Sequence, residues 1–267
     1  MTLELYHNAM STCSQKVRLP LAEKKVDWVN KHVDLLKGEQ KDPAYLKLNP
    51  NGVVPTLVHD GHVIIESTII NEYVEDAFPG VSLAPASPAD RADMRLWARL
   101  VDERLHTANG ALTLATVRRA LQQQQPRDEV MKELIATPDP VQRAARIALF
   151  EHGVDAPECE TAMNALARIL AKVEARVAEH DWLAGEAYSL ADIAVTPYLA
   201  RMEQIGMDWL WTEGLYPALG EWFDRIKARP SFETAITAFL PTGMTDIFRN
   251  LAAPSMDRIK ASFRAAA

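Results

Sequence analysis

The sequence predicts two parts of different class: a small mixed α/β domain over residues 1–80 and an all-helical domain over residues 88–267, joined by a linker at 81–87. Three observations carry this. As far as residue 80, short apolar runs alternate with amphipathic stretches, the grammar of strands interleaved with helices. Asp60-Gly61 separates two strand-like runs and supplies the positive φ angles of a tight hairpin turn. Beyond Pro88 nearly every segment spaces its apolar residues as a helix does.

Taken in order, residues 3–6 read as a strand, 13–25 as a helix, 28–33 as a second strand and 43–48 as a short helix. Residues 56–59 and 62–65 form the hairpin. Ile70, Tyr73, Val74 and Ala77 then line one helical face. Pro79-Gly80 and Pro85 mark the connection. Ser87 caps the next helix, with Pro88 at its first position and Asp90 three residues after the cap. Pro20 falls inside the first helix, where it removes the N–H that Lys16 would accept from, so that helix is expected to kink or to start late.

The stretch 122–140 holds four consecutive glutamines and three prolines and interrupts the helical pattern, so the region 121–160 reads as an insertion or a flexible connection. Helical spacing resumes over 141–150 and 160–179. At Tyr188-Ser189-Leu190-Ala191-Asp192-Ile193 a reciprocal cap is expected, with Ser189 and Asp192 exchanging hydrogen bonds and Tyr188 packing on Ile193. Pro197 should kink the helix that follows. Residues 241–267 are mildly amphipathic.

Composition narrows the function classes. The chain is 48% hydrophobic and 24% charged, with a formal charge of −7. That balance disfavours nucleic acid as the main partner, which needs a concentrated basic face. Two cysteines, Cys13 and Cys159, are too few for a disulfide framework, and the seven histidines show no ligand spacing, so no structural metal is expected. No apolar run approaches a membrane span, and residues 1–6 lead into a strand rather than a signal peptide. The reducing cytoplasm is the expected compartment.

Three constellations can carry chemistry. Ser11-Thr12-Cys13-Ser14 opens the first helix, where backbone N–H groups and the helix dipole favour an anion such as a thiolate. The same residues also read as an N-cap with a small buried thiol. In Asn49-Pro50-Asn51-Gly52-Val53-Val54-Pro55, Pro55 is a candidate cis proline that leaves the Val54 backbone facing outward to pair with an extended, peptide-like ligand. In Glu66-Ser67-Thr68, Ser67 can meet a carboxylate at a helix N-terminus and Glu66 an ammonium, or the trio is only a cap. Together they ask for a ligand with a thiol, a peptide backbone, and α-amino and α-carboxyl groups at one end.

These residues resemble the cytosolic glutathione transferase superfamily. The resemblance covers nearly the whole chain and rests on Ser11-x-Cys13-Ser14-x-x-Val17-Arg18, Asn49-Pro50-x-Gly52-x-Val54-Pro55, Glu66-Ser67 followed by Ile70 and Tyr73, and Ser189-Leu190-Ala191-Asp192. The first motif is similar to the zeta class and to the bacterial dehalogenases of chlorinated hydroquinones. Residues 66–79 and 91–97, and the enlarged region of the second domain, are similar to the bacterial β-etherases that cleave lignin-derived aryl ethers. The resemblance implies an α/β thioredoxin-like N-terminal domain, an all-α helical C-terminal domain, a homodimer, and glutathione as cosubstrate.

It further implies that Val54, next to Pro55, binds the cysteinyl backbone of glutathione, Glu66 and Ser67 its γ-glutamyl end, and Gln40 or Lys41 its glycyl carboxylate. Ser11, ahead of Ser14 and of Tyr6, would donate to the sulfur. Cys13 could form a mixed disulfide with glutathione or be a packed small residue, and Cys159 receives no role. Trp209, Trp211 and Met202 are candidate walls for an aromatic substrate among residues that are mostly core. The expected activity is conjugation, β-aryl ether cleavage or dehalogenation of a small electrophile. The competing expectation is a non-catalytic binding or assembly module of the same fold.

Overall fold

Alternation in the first strand sets the sheet. In the computed structural model, which describes residues 2–266, β1 (Leu3–His7) buries Leu3, Leu5 and His7 and leaves Glu4 and Tyr6 half-buried on the other face. β1 pairs in parallel with β2 (Val29–His32) and antiparallel with β3 (Thr56–His59), and β3 pairs antiparallel with β4 (His62–Ile64), giving the order β2-β1-β3-β4. Asp60 and Gly61, at φ 47° and 84°, make the hairpin turn the sequence predicts. Leu5 and Leu57 pack with Val17 and Leu21 of α1 (Thr12–Glu23) and with Ile70 and Val74 of α3 (Ser67–Ala77). Each such side chain contributes about 1.5–3 kcal/mol on burial. Between β2 and β3 lie a 3-10 turn at Glu39–Lys41 and the short α2 (Pro43–Leu46).

Pro20 does not delay or end α1. The helix starts at Thr12 and runs unbroken to Glu23. The Lys16 carbonyl, deprived of its ladder donor, accepts instead from Nδ2 of Asn71 on α3 at 3.2 Å. A neighbouring helix thus supplies the hydrogen bond that the proline removes.

The helices that follow are α4 (Pro88–Leu100), α5 (His106–Thr113), α6 (Arg119–Gln122), α7 (Arg127–Ile135), α8 (Pro140–His152) and α9 (Pro157–Val177). After them come α10 (Leu190–Gln204), α11 (Trp209–Thr212), α12 (Pro217–Lys227), α13 (Pro230–Ala235), α14 (Met244–Ala252) and α15 (Met256–Ala266). The chain divides into two compact units. One holds residues 1–99, 180–197 and 221–241; the other holds 100–179, 198–220 and 242–267.

In the first unit Asp192 is fully buried and accepts four hydrogen bonds. Leu183 N and Trp222 Nε1 donate to its Oδ1, and Ser189 N and Ser189 Oγ to its Oδ2, at 2.9–3.2 Å. Ser189 Oγ in turn accepts from Ala191 N at 3.2 Å, which completes the expected reciprocal cap. Burial pushes the Asp192 carboxyl up to about 6 despite these donors.

In the second unit Leu112 of α5, Leu166 and Leu170 of α9, and Ile259 and Phe263 of α15 are buried. π-helical turns at Val101–Leu105 and Leu114–Arg118 flank α5. The glutamine- and proline-rich stretch, expected as an insertion or a flexible connection, contains the helix α7. Val130 and Leu134 of α7, one turn apart, pack on Phe150 of α8, and two apolar anchors in so polar a segment are too few to show as periodicity. Asp139 caps α8 by accepting from Gln142 N at 2.7 Å, with Pro140 at the first position. Trp209 packs edge-on against Phe263 and Met202 is fully buried, so these candidate pocket walls belong to the core of this unit. Among the described residues no helix is long and apolar enough to cross a membrane.

Candidate active site

Strand register brings the predicted site segments together. β1 ends at His7 beside His32 of the parallel β2, the antiparallel β3 begins at Thr56 opposite Tyr6, and Ile64 of β4 lies opposite Leu57. Residues 8–11, 33–41, 49–55 and 65–67 therefore all leave the sheet at one end. That end lies beyond the carboxyl termini of the two parallel strands, where open α/β sheets place their ligands.

Residues 8–11 are fixed by short polar contacts. Asn8 donates through Nδ2 to Val33 O at 3.0 Å and accepts at Oδ1 from Met10 N at 3.0 Å. Ser14 Oγ accepts from Asn8 N at 3.2 Å, and Ser14 is fully buried. Ser11 is half-buried and caps α1, its Oγ accepting from Ser14 N at 3.2 Å. Cys13 is half-buried in the first turn. The two serines thus differ in burial: Ser14 is fully enclosed and Ser11 is half-buried. Tyr6 turns along its strand to donate to Glu4 Oε2 at 3.1 Å; burial, then this acceptor, raises its pKa above the ordinary value.

The 49–55 segment is held from inside. Tyr45 OH and Asn49 Nδ2 both donate to Val53 O, at 2.6 and 2.9 Å, and both reach Thr56 Oγ1. Val54 buries its side chain with Val33 and Tyr45, and the Val54-Pro55 peptide is cis, as expected. Gly52 sits at φ 62°, and a Cβ there would lie 3.3 Å from Gln40 O. Only glycine admits this close approach of the Glu39–Lys41 turn to the loop. Gln40 is half-buried, with its Oε1 buried and unpartnered, whereas Lys41 is exposed.

Glu66 and Ser67 stand at the start of α3. Glu66 is exposed and adopts φ 67° and ψ 113°, a costly conformation for a residue with a Cβ. Its Oε1 accepts from Asn51 Nδ2 at 3.3 Å, which links the two predicted segments. Ser67 is the first residue of α3 and is 8% exposed. Next to it, Thr68 Oγ1 accepts from the buried Lys16 Nζ at 2.8 Å and ties α3 to α1. Asn8 is absent from the sequence reading, and Asn51 and Lys16 receive no site role there. Asn51 beside Gly52 is the one whose turn chemistry could have drawn attention.

Comparisons with known proteins bear on this site. Residues 1–76 match the family model "Glutathione S-transferase, N-terminal domain", and residues 135–230 match "Glutathione S-transferase, C-terminal domain". Protein LigF of Sphingobium sp. (strain NBRC 103272 / SYK-6) is 35% identical over 239 residues, 87% of this chain and 92% of that one. The tetrachloro-p-hydroquinone reductive dehalogenase of Sphingobium chlorophenolicum is 32% identical over 247 residues, 87% of this chain and 95% of that protein. The crystal structure of the β-etherase LigF aligns with a TM-score of 0.79 at 33% identity, over 89% of this chain and all 100% of that one.

Proposed function

Because this chain belongs to the glutathione transferase family, we propose that Ser11 activates the thiol of bound glutathione for attack on a small aromatic electrophile. The chain is an enzyme of that family and glutathione is its cosubstrate. The observation that carries the Ser11 assignment is its role as N-cap: Oγ accepts from Ser14 N, so the hydroxyl proton is left to donate outward. Ser14 Oγ is enclosed against Asn8 N.

A thiol ordinarily titrates near ~8.5, so holding it as thiolate at pH 7 requires roughly 2.7 kcal/mol of preferential stabilisation. One hydrogen bond to the charged sulfur and the N-terminus of α1 are of that size. In this reading Val54 pairs with the cysteinyl backbone beside Pro55, Ser67 and Glu66 take the γ-glutamyl carboxylate and ammonium, and Gln40 or Lys41 takes the glycyl carboxylate. Residues 1–80 form the glutathione domain and 88–267 the substrate domain, with 81–87 as the linker between them. The protein works as a cytoplasmic homodimer, on family membership.

The sulfur forms a C–S bond while a halide or aryloxide departs with the bonding electron pair. Where the leaving group is halide on a reducible ring, the Cys13 thiolate attacks the sulfur of the glutathionyl aromatic. The aryl carbon takes the electron pair and a proton, and Cys13 is left in a mixed disulfide that a second glutathione reduces. The relatives named for ether cleavage and for reductive dehalogenation motivate these two outcomes.

Kinetics of Ser11→Ala with aryl ethers, halogenated aromatics and a dinitrophenyl halide test the reading. Turnover is expected to fall about 100-fold, the usual consequence of deleting one donor to a developing or resident anion, with glutathione affinity little changed. Equal turnover would discard Ser11. Calorimetry showing no glutathione binding at millimolar ligand would instead point to a non-catalytic module.

A further inference from the structure

Arg18 is 1% exposed, and each of its named partners is neutral. Its Nη1 reaches His7 Nδ1 at 2.9 Å and Asn8 O at 3.1 Å, and its Nη2 donates to Ala9 O at 3.0 Å. Nε donates to Ala235 O, at the end of α13, at 2.7 Å. The Phe239 ring covers the guanidinium, 4.2 Å from Cζ, and stacks on Trp28. His7 must accept at Nδ1, because Arg18 has only donors there, so its Nε2–H donates to Asn30 Oδ1 at 2.8 Å. Burying a cation costs free energy unless its donors are used. Here the planar fork uses them to pull two consecutive carbonyls inward, those of Asn8 and Ala9. These residues lead directly into Met10 and Ser11.

We propose that Arg18 is a positioning residue for thiol activation: by gathering the Asn8 and Ala9 carbonyls it sets the path of residues 8–11, and so the place where Ser11 Oγ meets the glutathione sulfur. The proposal rests on the reading of residues 8–11 as the thiol site. It adds that the 235–239 segment, through Ala235 O and Phe239, braces that site from behind.

Arg18→Lys keeps the charge and loses the fork, so any effect reports geometry rather than net charge. The bound thiol is titrated by thiolate ultraviolet absorbance, glutathione affinity is measured by calorimetry, and amide exchange is followed over residues 8–11. The expected result is a bound-thiol pKa raised by about 1 pH unit, a smaller change in affinity, and faster exchange at Met10 and Ser11. An unchanged thiol pKa in the folded variant overturns the proposal. If Arg18→Lys does not fold, Phe239→Leu, which uncovers the guanidinium and removes the ring packed edge-on against His7, decides instead: a raised thiol pKa supports the proposal and an unchanged one overturns it. Ser11→Ala, titrated in parallel, judges the Ser11 assignment separately. If that substitution leaves the thiol pKa in place while Arg18→Lys raises it, the Ser11 assignment falls, and what stands is that Arg18 positions residues 8–11 for a donor other than the Ser11 hydroxyl.

Discussion

The hydrogen bond that replaces the one lost at Pro20 can be measured by a double-mutant cycle. Asn71 is 3% exposed; its Nδ2 donates to Lys16 O, while its Oδ1 is buried without a partner. Asn71→Leu therefore has two opposed effects, each about 1–3 kcal/mol: it strands the Lys16 carbonyl and removes an unsatisfied oxygen. The single substitution is a poor probe, because these terms nearly cancel. Pro20→Ala restores the N–H that the carbonyl would accept in a regular helix. It also alters backbone entropy and core volume, but those changes are common to both backgrounds and drop out of the cycle. Pro20→Ala should thus be more favourable by about 1 kcal/mol, one net hydrogen bond, when Asn71→Leu is present than when it is absent. Urea unfolding followed by tryptophan fluorescence and circular dichroism supplies the four free energies. Additivity within about 0.3 kcal/mol, or coupling of opposite sign, would refute the claim that Asn71 replaces the missing donor.

Burial holds His7 at about 4, below the ordinary histidine value. The unfolded chain therefore binds this proton more readily than the folded one. Stability from His7 is full above roughly pH 6.5 and is lost as pH falls toward 4, by up to about 3 kcal/mol. Asp192, pushed up to about 6, acts in the opposite sense over an overlapping range, since its folded form binds a proton the unfolded form has released. The His7 contribution is therefore read as the difference in pH profile between wild type and His7→Gln, and parallel profiles would contradict it. Asp192→Ala leaves Leu183 N, Ser189 N and Trp222 Nε1 without their acceptor. It should cost more than about 3 kcal/mol, seen as a large drop in melting temperature; a drop of a degree or two would show that water replaces the carboxylate. Burial pushes the Cys159 thiol up to about 12, while Cys13 stands half-buried at the start of α1. Iodoacetamide on the native protein should label Cys13 alone, and peptide mapping that finds Cys159 alkylated would overturn this.

What could be read from the sequence, and what could not, divides along the range of the interactions. The hairpin at Asp60-Gly61, the cap at Ser189 and Asp192, and the cis peptide before Pro55 rest on contacts within a few residues, and local chemistry was enough to foresee them. Pro20 marks the edge of that reach. Its missing N–H is plain in the sequence, but the replacement donor lies 55 positions away on another helix. The same limit applies to the site. Ser11 and Ser14 are indistinguishable as residue types in one motif, and only the fold of residues 8–11 encloses the second and leaves the first half-buried. Arg18 is the extreme case, since it belongs to the motif yet its partners lie at residues 7–9, 235 and 239. Helical spacing alone would place a charged side chain on a solvated face. Its burial among carbonyls follows from the return of the chain after α12, which no pattern within α1 encodes. A motif can therefore name the residues proposed to meet a ligand while leaving unmarked the buried side chain that hydrogen-bonds the backbone leading into them.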